Sequence, residues 1–134
     1  MTKKYAIIGI SFLTSVAATA PASAQPYLDQ FVGAWRNQNP QTDGVTRVEI
    51  SNGLGQLSMH WWGRCHPTDC DNGVHPMVPA NSGVVTFDFV QNTISKSGTL
   101  TVLADGMLQM QLHTHFNDTS GRPGYDAVYR FVRS

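Results

Sequence analysis

The chain is poor in the residues that most enzyme sites require. Of its 134 residues only one is a glutamate, Glu49, and only two are cysteines. It contains no G-x-S-x-G motif, no H-E-x-x-H motif and no glycine-rich phosphate loop. These absences argue against the serine hydrolases, zinc peptidases and nucleotide-binding enzymes that carry those motifs. We therefore expect a protein that is not an enzyme and that needs no cofactor.

Long apolar runs are equally scarce, and the one at the N-terminus predicts export. Two lysines and an apolar stretch over residues 6–18 precede a small-x-small cleavage motif at residues 22–24. The stretch is shorter than the roughly 20 residues that a membrane-spanning helix needs, which argues against a transmembrane anchor. We expect residues 1–24 to be a cleavable signal peptide and residues 25–134 to form one β-barrel domain. The mature protein is then secreted or periplasmic, without membrane insertion.

Positive charge is limited as well. Cleavage after residue 24 removes two of the nine basic residues and none of the nine acidic ones, which leaves a net charge of −2 with the histidines neutral. Basic patches with interleaved aromatic residues are absent. Nucleic acids and acidic membrane surfaces are therefore poor partners. We expect a monomer whose partner is a small molecule or another protein.

The two cysteines, Cys65 and Cys70, are separated by four residues. Two cysteines in an exported chain usually pair, because the oxidising compartment lets a disulfide persist. The C-x-x-C spacing and the βαβ pattern of thioredoxin-like redox pairs are both missing. We predict a structural disulfide that shapes a local loop, since so short a loop adds little to global stability.

Helical periodicity is also missing from the mature chain, which instead alternates apolar and polar residues between turn residues. One helical turn is expected near residues 27–31, and strands are expected at residues 32–38, 45–51, 56–63, 84–91, 99–103, 107–117 and 125–133. Short antiparallel strands in sequence form either a sandwich or a closed barrel, and closure leaves no exposed edge. We predict an all-β fold, a small antiparallel meander β-barrel of about seven to eight strands with almost no helix. Bulky side chains should fill its interior.

Residues 66–82 are the exception to this alternation. They contain Pro67, Pro76 and Pro79, and they predict a long ordered loop rather than a strand. Long loops in compact domains are disproportionately functional. This loop also follows the cysteine pair, which makes the region the first place to look for a binding site.

Two segments resemble known families. Gly33 and Trp35 open the first predicted strand, and Arg130 and Arg133 lie on the last one. This arrangement resembles the glycine-x-tryptophan start of lipocalin-like and avidin-like barrels, the calycin group. The resemblance implies that Trp35 closes one barrel end and that a basic residue of the final strand packs over it.

Residues 62–71, which read W-G-R-C-H-P-T-D-C-D, are similar to a loop of uncharacterised secreted β-domains. Residues 35–37 and 46–50 extend the resemblance over most of the mature chain. The resemblance implies no activity. We interpret the segment as a structured hairpin loop in which Asp69 and Asp71 accept backbone hydrogen bonds inside the disulfide ring.

Trp61 and Trp62 are neighbours in a predicted strand, so they must point to opposite faces. One fills the core. The other lies outside, in the open or beneath the 66–82 loop, unless the interior is a ligand cavity, in which case it points inward with the polar face. An exposed tryptophan beside a rigid loop is a suitable anchor for a sugar or a protein. We predict a binding site on the rim formed by His60, Trp62, Arg64, His66, Asp69 and Asp71.

Three alternatives to a small-molecule carrier remain open. A protease inhibitor fits the size, the compartment and the disulfide. A structural domain that pairs with envelope components is a second alternative. A small hydrolase would use His60, His66, Asp69 and Asp71 as its acid/base centre. A proline-containing loop favours capping over catalysis for these aspartates.

Metal sites have weaker support. Residues 69–73 depart from a calcium loop, because the glycine falls one place early and Ala80 occupies the position of the bidentate glutamate. His113 and His115 are two apart on a strand and share one face, as a zinc or copper pair requires. Glutamines on that same face favour a solvated surface, so we predict no metal and expect this pair to be dispensable.

Overall fold

Every strand of the protein pairs antiparallel with its neighbours in the sequence, and the last strand pairs with the first. The computed structural model describes residues 26–134, so the predicted signal peptide lies outside the described residues. A 3₁₀ turn at Pro26–Gln30 precedes eight strands: β1 Gly33–Asn37, β2 Val45–Gly53, β3 Gln56–Gly63, β4 Cys70–Pro79, β5 Val84–Gln91, β6 Ile94–Val102, β7 Leu108–Phe116 and β8 Tyr125–Arg133. These strands close into one barrel in sequence order, which confirms the predicted all-β meander barrel. No helix within the described part of the chain is long and apolar enough to cross a membrane.

The predicted loop at residues 66–82 is wrong for most of its length, because Cys70–Pro79 form β4. This strand is registered with β3 from Cys70 to Met77, but with β5 only at Val78 and Pro79. A proline removes a backbone donor and is tolerated where one side of a strand lacks a partner. The weak β4–β5 pairing therefore explains how Pro76, which is registered with β3 but not with β5, can belong to the barrel.

Strand β6 begins at Ile94, whereas alternation predicts only residues 99–103. Leu100 is fully buried, so Gly98 and Lys96 occupy the preceding inward positions of the same strand. Neither residue is a large apolar one, so the alternation of apolar and polar residues is not visible in the first half of β6. At Gly98 a Cβ would overlap the carbonyl oxygen of Gln111, which excludes a larger residue there.

One end of the barrel, the closed end, is covered by the 3₁₀ turn and Trp35. The Trp35 side chain is fully buried, and its Nε1 donates to the carbonyl of Phe31 at 2.8 Å. The Arg133 guanidinium lies 3.9 Å from the Trp35 ring centroid and donates to the carbonyls of Val32 and Gln30 at 2.6 Å. The calycin resemblance implies a contact of this kind. Arg130, the other candidate, instead donates to Gln109 on the outer surface.

The opposite end, the open end, carries the four loops at residues 38–44, 64–69, 92–93 and 117–124. Between the two ends, inward-facing side chains pack into one core. Its fully buried members include Phe31, Val48, Leu57, Met59, Met77, Val85, Leu100, Leu108, Met110 and Phe131. Each large apolar side chain buried in this way contributes about 1.5–3 kcal/mol, so this core is the main source of packing energy in the barrel.

Candidate functional site

A cavity of about 270 Å³ opens at the end of the barrel that carries the disulfide loop. Its walls include Trp61, Arg64, Lys96, Leu112, Tyr125 and Tyr129. The sequence predicts a filled interior. The structure shows a filled interior toward the closed end and a cavity between Leu112 and the open end. We call this space the mouth cavity.

The disulfide forms one side of the mouth cavity. Cys65 and Cys70 are bridged with their Cα atoms 5.4 Å apart, which confirms the predicted pair. From the same loop, Arg64 donates through Nε to the carbonyl of Thr42 at 3.0 Å and through Nη2 to that of Pro40 at 2.6 Å. The disulfide loop and the β1–β2 loop are therefore tied together, and this holds the mouth in shape.

Tyr129 packs across the mouth against Gly44. A Cβ at Gly44 would overlap the Tyr129 hydroxyl, so glycine is required for this approach. Burial raises the pKa of Tyr129 above its ordinary value, and the nearby Tyr125 adds to the increase while the backbone of Val45 partly offsets it. The phenol thus remains a neutral hydrogen-bonding group at physiological pH.

Lys96 lies inside the barrel wall rather than on its outer face. Its Nζ donates to Oγ1 of Thr114 at 3.1 Å, and the Thr114 side chain is 1% exposed. The same ammonium lies 6.0 Å from the centroid of the Trp61 ring. None of the ion pairs found among residues 26–134 includes Lys96. Of the cavity-lining residues only Asp43 is acidic.

Trp61 forms the inner wall of the cavity. It is 2% exposed, and its Nε1–H has no hydrogen-bond acceptor within the described part of the protein. The rings of His75 and Phe89 stack at 3.6 Å and meet Trp61 edge-on at 6.4 and 5.7 Å. His75 is held in turn by the carbonyl of Asn72, 2.8 Å from its Nε2. This stack makes the inner wall aromatic and well packed.

The six residues of the predicted rim do not share one surface. Trp62 points outward from β3, where its ring stacks on His60 at 3.9 Å and contacts the Arg47 guanidinium at 3.7 Å. Nε2 of His60 lies 2.7 Å from Oδ1 of Asp71. These residues form the outer wall of β3 and β4. Of the six, Arg64 alone lines the mouth cavity.

The two loop aspartates differ in what they cap. Asp71 accepts a hydrogen bond from the backbone amide of Gly73 at 2.8 Å. That bond, followed by the contact with His60, holds the pKa of Asp71 below its ordinary value. Asp69 instead accepts from the Thr46 hydroxyl at 2.7 Å, so its predicted backbone cap is replaced by a side-chain contact with β2. His66 is exposed beside them.

His113 and His115 lie on the outer face of β7. Nδ1 of His113 is 2.6 Å from Oδ1 of Asp126, and His115 is exposed. No group of three or more histidine, cysteine, aspartate or glutamate side chains in residues 26–134 has the arrangement of a metal site.

Sequence reasoning missed Lys96, Tyr125 and Tyr129 as residues of the site. Lys96 carried a usable signal, because it is the only lysine after residue 4 and stands in phase with Leu100 on a β strand. The two tyrosines carried a similar signal, because they stand in phase with Phe131 on the last predicted strand.

Comparisons of the chain with protein-family models, with curated proteins and with solved structures found no match. The eight-stranded antiparallel architecture is compatible with a calycin-like barrel. The function therefore has to be argued from the site itself.

Proposed function

We propose that this protein is a non-enzymatic binding protein that holds a small molecule in the mouth cavity. The observation that carries the proposal is a cavity of about 270 Å³ at one end of an otherwise filled barrel. Ligand sites are typically concave, mostly apolar and furnished with a few convergent polar groups. The mouth cavity is concave and about half apolar, with aromatic walls and the polar ends of Lys96, Asn72 and Tyr129.

The hydrolase alternative has less support. Of its four candidate residues only His60 and Asp71 are in contact, and they lie on the exposed outer wall. A general acid needs a raised pKa, whereas the pKa of Asp71 is lowered by the amide of Gly73 and by His60. The pair has the character of a surface hydrogen bond between neighbouring strands.

Recognition of a protein through Trp62, as a protease inhibitor would require, is also less well supported. An interface anchor presents its ring to the partner. Here His60 and Arg47 already contact the Trp62 ring at 3.9 and 3.7 Å. The tryptophan is engaged within its own surface.

We further propose that the protein acts outside the cytoplasm. The support is the N-terminal pattern of basic residues, apolar stretch and cleavage motif, together with a disulfide that an oxidising compartment maintains. Intact-mass analysis of the protein recovered from an exporting host should give a chain that begins at Gln25. A chain that retains residues 1–24 would contradict this part of the proposal.

A fragment screen followed by NMR on ¹⁵N-labelled protein tests the binding site. Ligands should shift the amides of Gly63 and Leu112 and leave the outer wall unchanged. Asn72 lines the mouth and Val74 is 60% exposed on the same strand, so tryptophan at each position forms a matched pair. Asn72→Trp should narrow the mouth and abolish binding, whereas Val74→Trp should not affect it. Shifts confined to Trp62 and Asp71, or equal effects of the two variants, would disprove the assignment.

A further inference from the structure

The charge of Lys96 is the least ordinary feature of the cavity. Lysine usually extends its ammonium into water, and a cation drawn into a partly desolvated site is costly unless it is paired. Lys96 is half-buried, and its one hydrogen bond within residues 26–134 is to Thr114, a neutral hydroxyl. The site therefore lacks a counter-charge for this ammonium.

The surrounding wall does not supply that counter-charge. Asp43, on the β1–β2 loop, is the acidic residue of the wall, and it forms no ion pair with Lys96. Arg64 lies on the same wall and is bound to backbone carbonyls. With two cations and one carboxylate, the wall carries a net positive charge.

Among residues 26–134, the Lys96 ammonium keeps hydrogen-bond donors free on this wall. An ammonium has three N–H donors, and Lys96 uses one of them on Thr114. The Nε1–H of Trp61 also has no acceptor in the described part of the chain, but it is buried behind the wall and is closed to a ligand. A carboxylate accepts several hydrogen bonds through two oxygens and forms its strongest ones with cations. It is thus the group that this wall is best suited to receive.

The remaining walls limit the rest of the ligand. Leu112, Tyr125 and Tyr129 present apolar and aromatic surface. The volume of about 270 Å³ falls just below the roughly 300–1,000 Å³ of sites for drug-sized ligands, so the ligand is small. A bare inorganic anion would leave this apolar surface in contact with water.

We propose that the mouth cavity takes a small monocarboxylic acid with a compact, preferably aromatic body. Its carboxylate lies against Lys96, and its body lies against Leu112 and Tyr129. This inference rests on the proposed function and adds to it the chemical class of the ligand.

The first test compares acids with neutral molecules of the same shape. Benzoate and 3-phenylpropionate, their primary amides, and inorganic phosphate are titrated into ¹⁵N-labelled protein at constant ionic strength. Each acid should bind about tenfold or more tightly than its amide, because it alone pairs with the ammonium. The Trp61 indole N–H signal should move, whereas that of Trp35, already bonded to Phe31, should stay in place.

The second test changes the cation. Lys96→Met keeps the apolar stem and should weaken acid binding by about tenfold or more, with no effect on the amides. Lys96→Gln keeps a hydrogen-bonding head and gives the same readout if the methionine variant folds poorly. Lys96→Arg should retain most of the affinity. Arg130→Met removes an exposed cation on the outer surface and should change nothing.

The outcomes separate this inference from the function on which it rests. If the amides bind the mouth as tightly as the acids, or if acid affinity survives Lys96→Met, the ligand is not selected as an anion although the cavity still binds ligands. Phosphate binding as tightly as the acids would show that the apolar body is not recognised. No response to any acid overturns the inference, and shifts only on the outer wall overturn the proposed function as well.

Discussion

At the scale of single residues, neighbouring tryptophans show how position in a strand determines a role. Trp61 is 2% exposed in the core, and Trp62 lies on the outer wall beside Arg47. Trp35 is different again, because it is fully buried at the closed end and held both by its indole hydrogen bond and by Arg133. The three side chains should therefore contribute very differently to stability.

Replacement of Trp35 by alanine should lower the free energy of unfolding by about 3–5 kcal/mol, because it leaves a cavity and removes the support for Arg133. Trp62→Ala is the matched control and should cost about 1 kcal/mol, since it loses mainly partly exposed contacts with Arg47 and His60. Urea denaturation of the two variants gives both values. Equal losses would contradict the closing role of Trp35.

Asp118 provides a residue-scale prediction for pH. Hydrogen bonds from the Ser120 hydroxyl, from Arg122 and from the Ser120 amide lower the pKa of Asp118 from 3.8 to about 2. Because the folded-state pKa is depressed, the stabilisation is complete above about pH 4 and is lost as the pH falls toward 2. A ¹³C carboxyl titration should show a midpoint near 2, and both Ser120→Ala and Arg122→Met should raise it. An unchanged midpoint in both variants would rule out this network.

At the scale of elements, the loops of the open end are joined by contacts that the strands alone do not provide. The disulfide closes the β3–β4 loop, and Arg64 ties that loop to the β1–β2 loop. The loops thus form the entrance of the mouth cavity, and the strands form its walls. Changes in a loop should therefore alter the cavity without unfolding the barrel.

Removal of the disulfide tests this division. Cys65→Ser/Cys70→Ser should cost no more than about 2 kcal/mol, because a loop this short loses little chain entropy when it is closed. Hydrogen exchange should become faster at residues 64–69 and remain unchanged along β6 and β7. A double variant that fails to fold would show that the bridge supports the whole barrel.

At the scale of the whole molecule, the contacts between neighbouring strands, which we call seams, differ in the number of paired residues. β6 and β7 are registered from Ile94 to Val102, but β4 and β5 only at two pairs of residues. Regions with few backbone hydrogen bonds open at a lower free energy than the global unfolding. The β4–β5 seam is therefore where the barrel should open first.

Native-state hydrogen exchange should reveal this order. Amide protons that bridge β4 and β5 should exchange through an opening that depends little on denaturant, whereas those between β6 and β7 should exchange only with global unfolding. The β6–β7 pair serves as the internal reference within the same sample. Equal protection at the two seams would show that the barrel opens only as a unit.

The sequence by itself determined the strands whose apolar residues alternate without interruption. Strands β3, β5 and β8 begin and end where the pattern predicts, because alternation and turn residues are local properties. The disulfide was equally predictable, since only two cysteines exist and they are close in sequence. The tryptophan and arginine of the closed end were anticipated by the resemblance to known barrels.

Only the tertiary structure decided which face of each strand is inside and which residues meet at the mouth. Alternation divides a strand into two faces but cannot say which one the closed barrel encloses. That assignment separated Trp61 from Trp62, placed Arg64 on the cavity and left Asp71 on the outer wall. It also placed Lys96 in the interior. The segment with Pro76 forms strand β4 because β4 pairs with β5 at only two pairs of residues. These outcomes depend on contacts between distant parts of the chain, which no local pattern records.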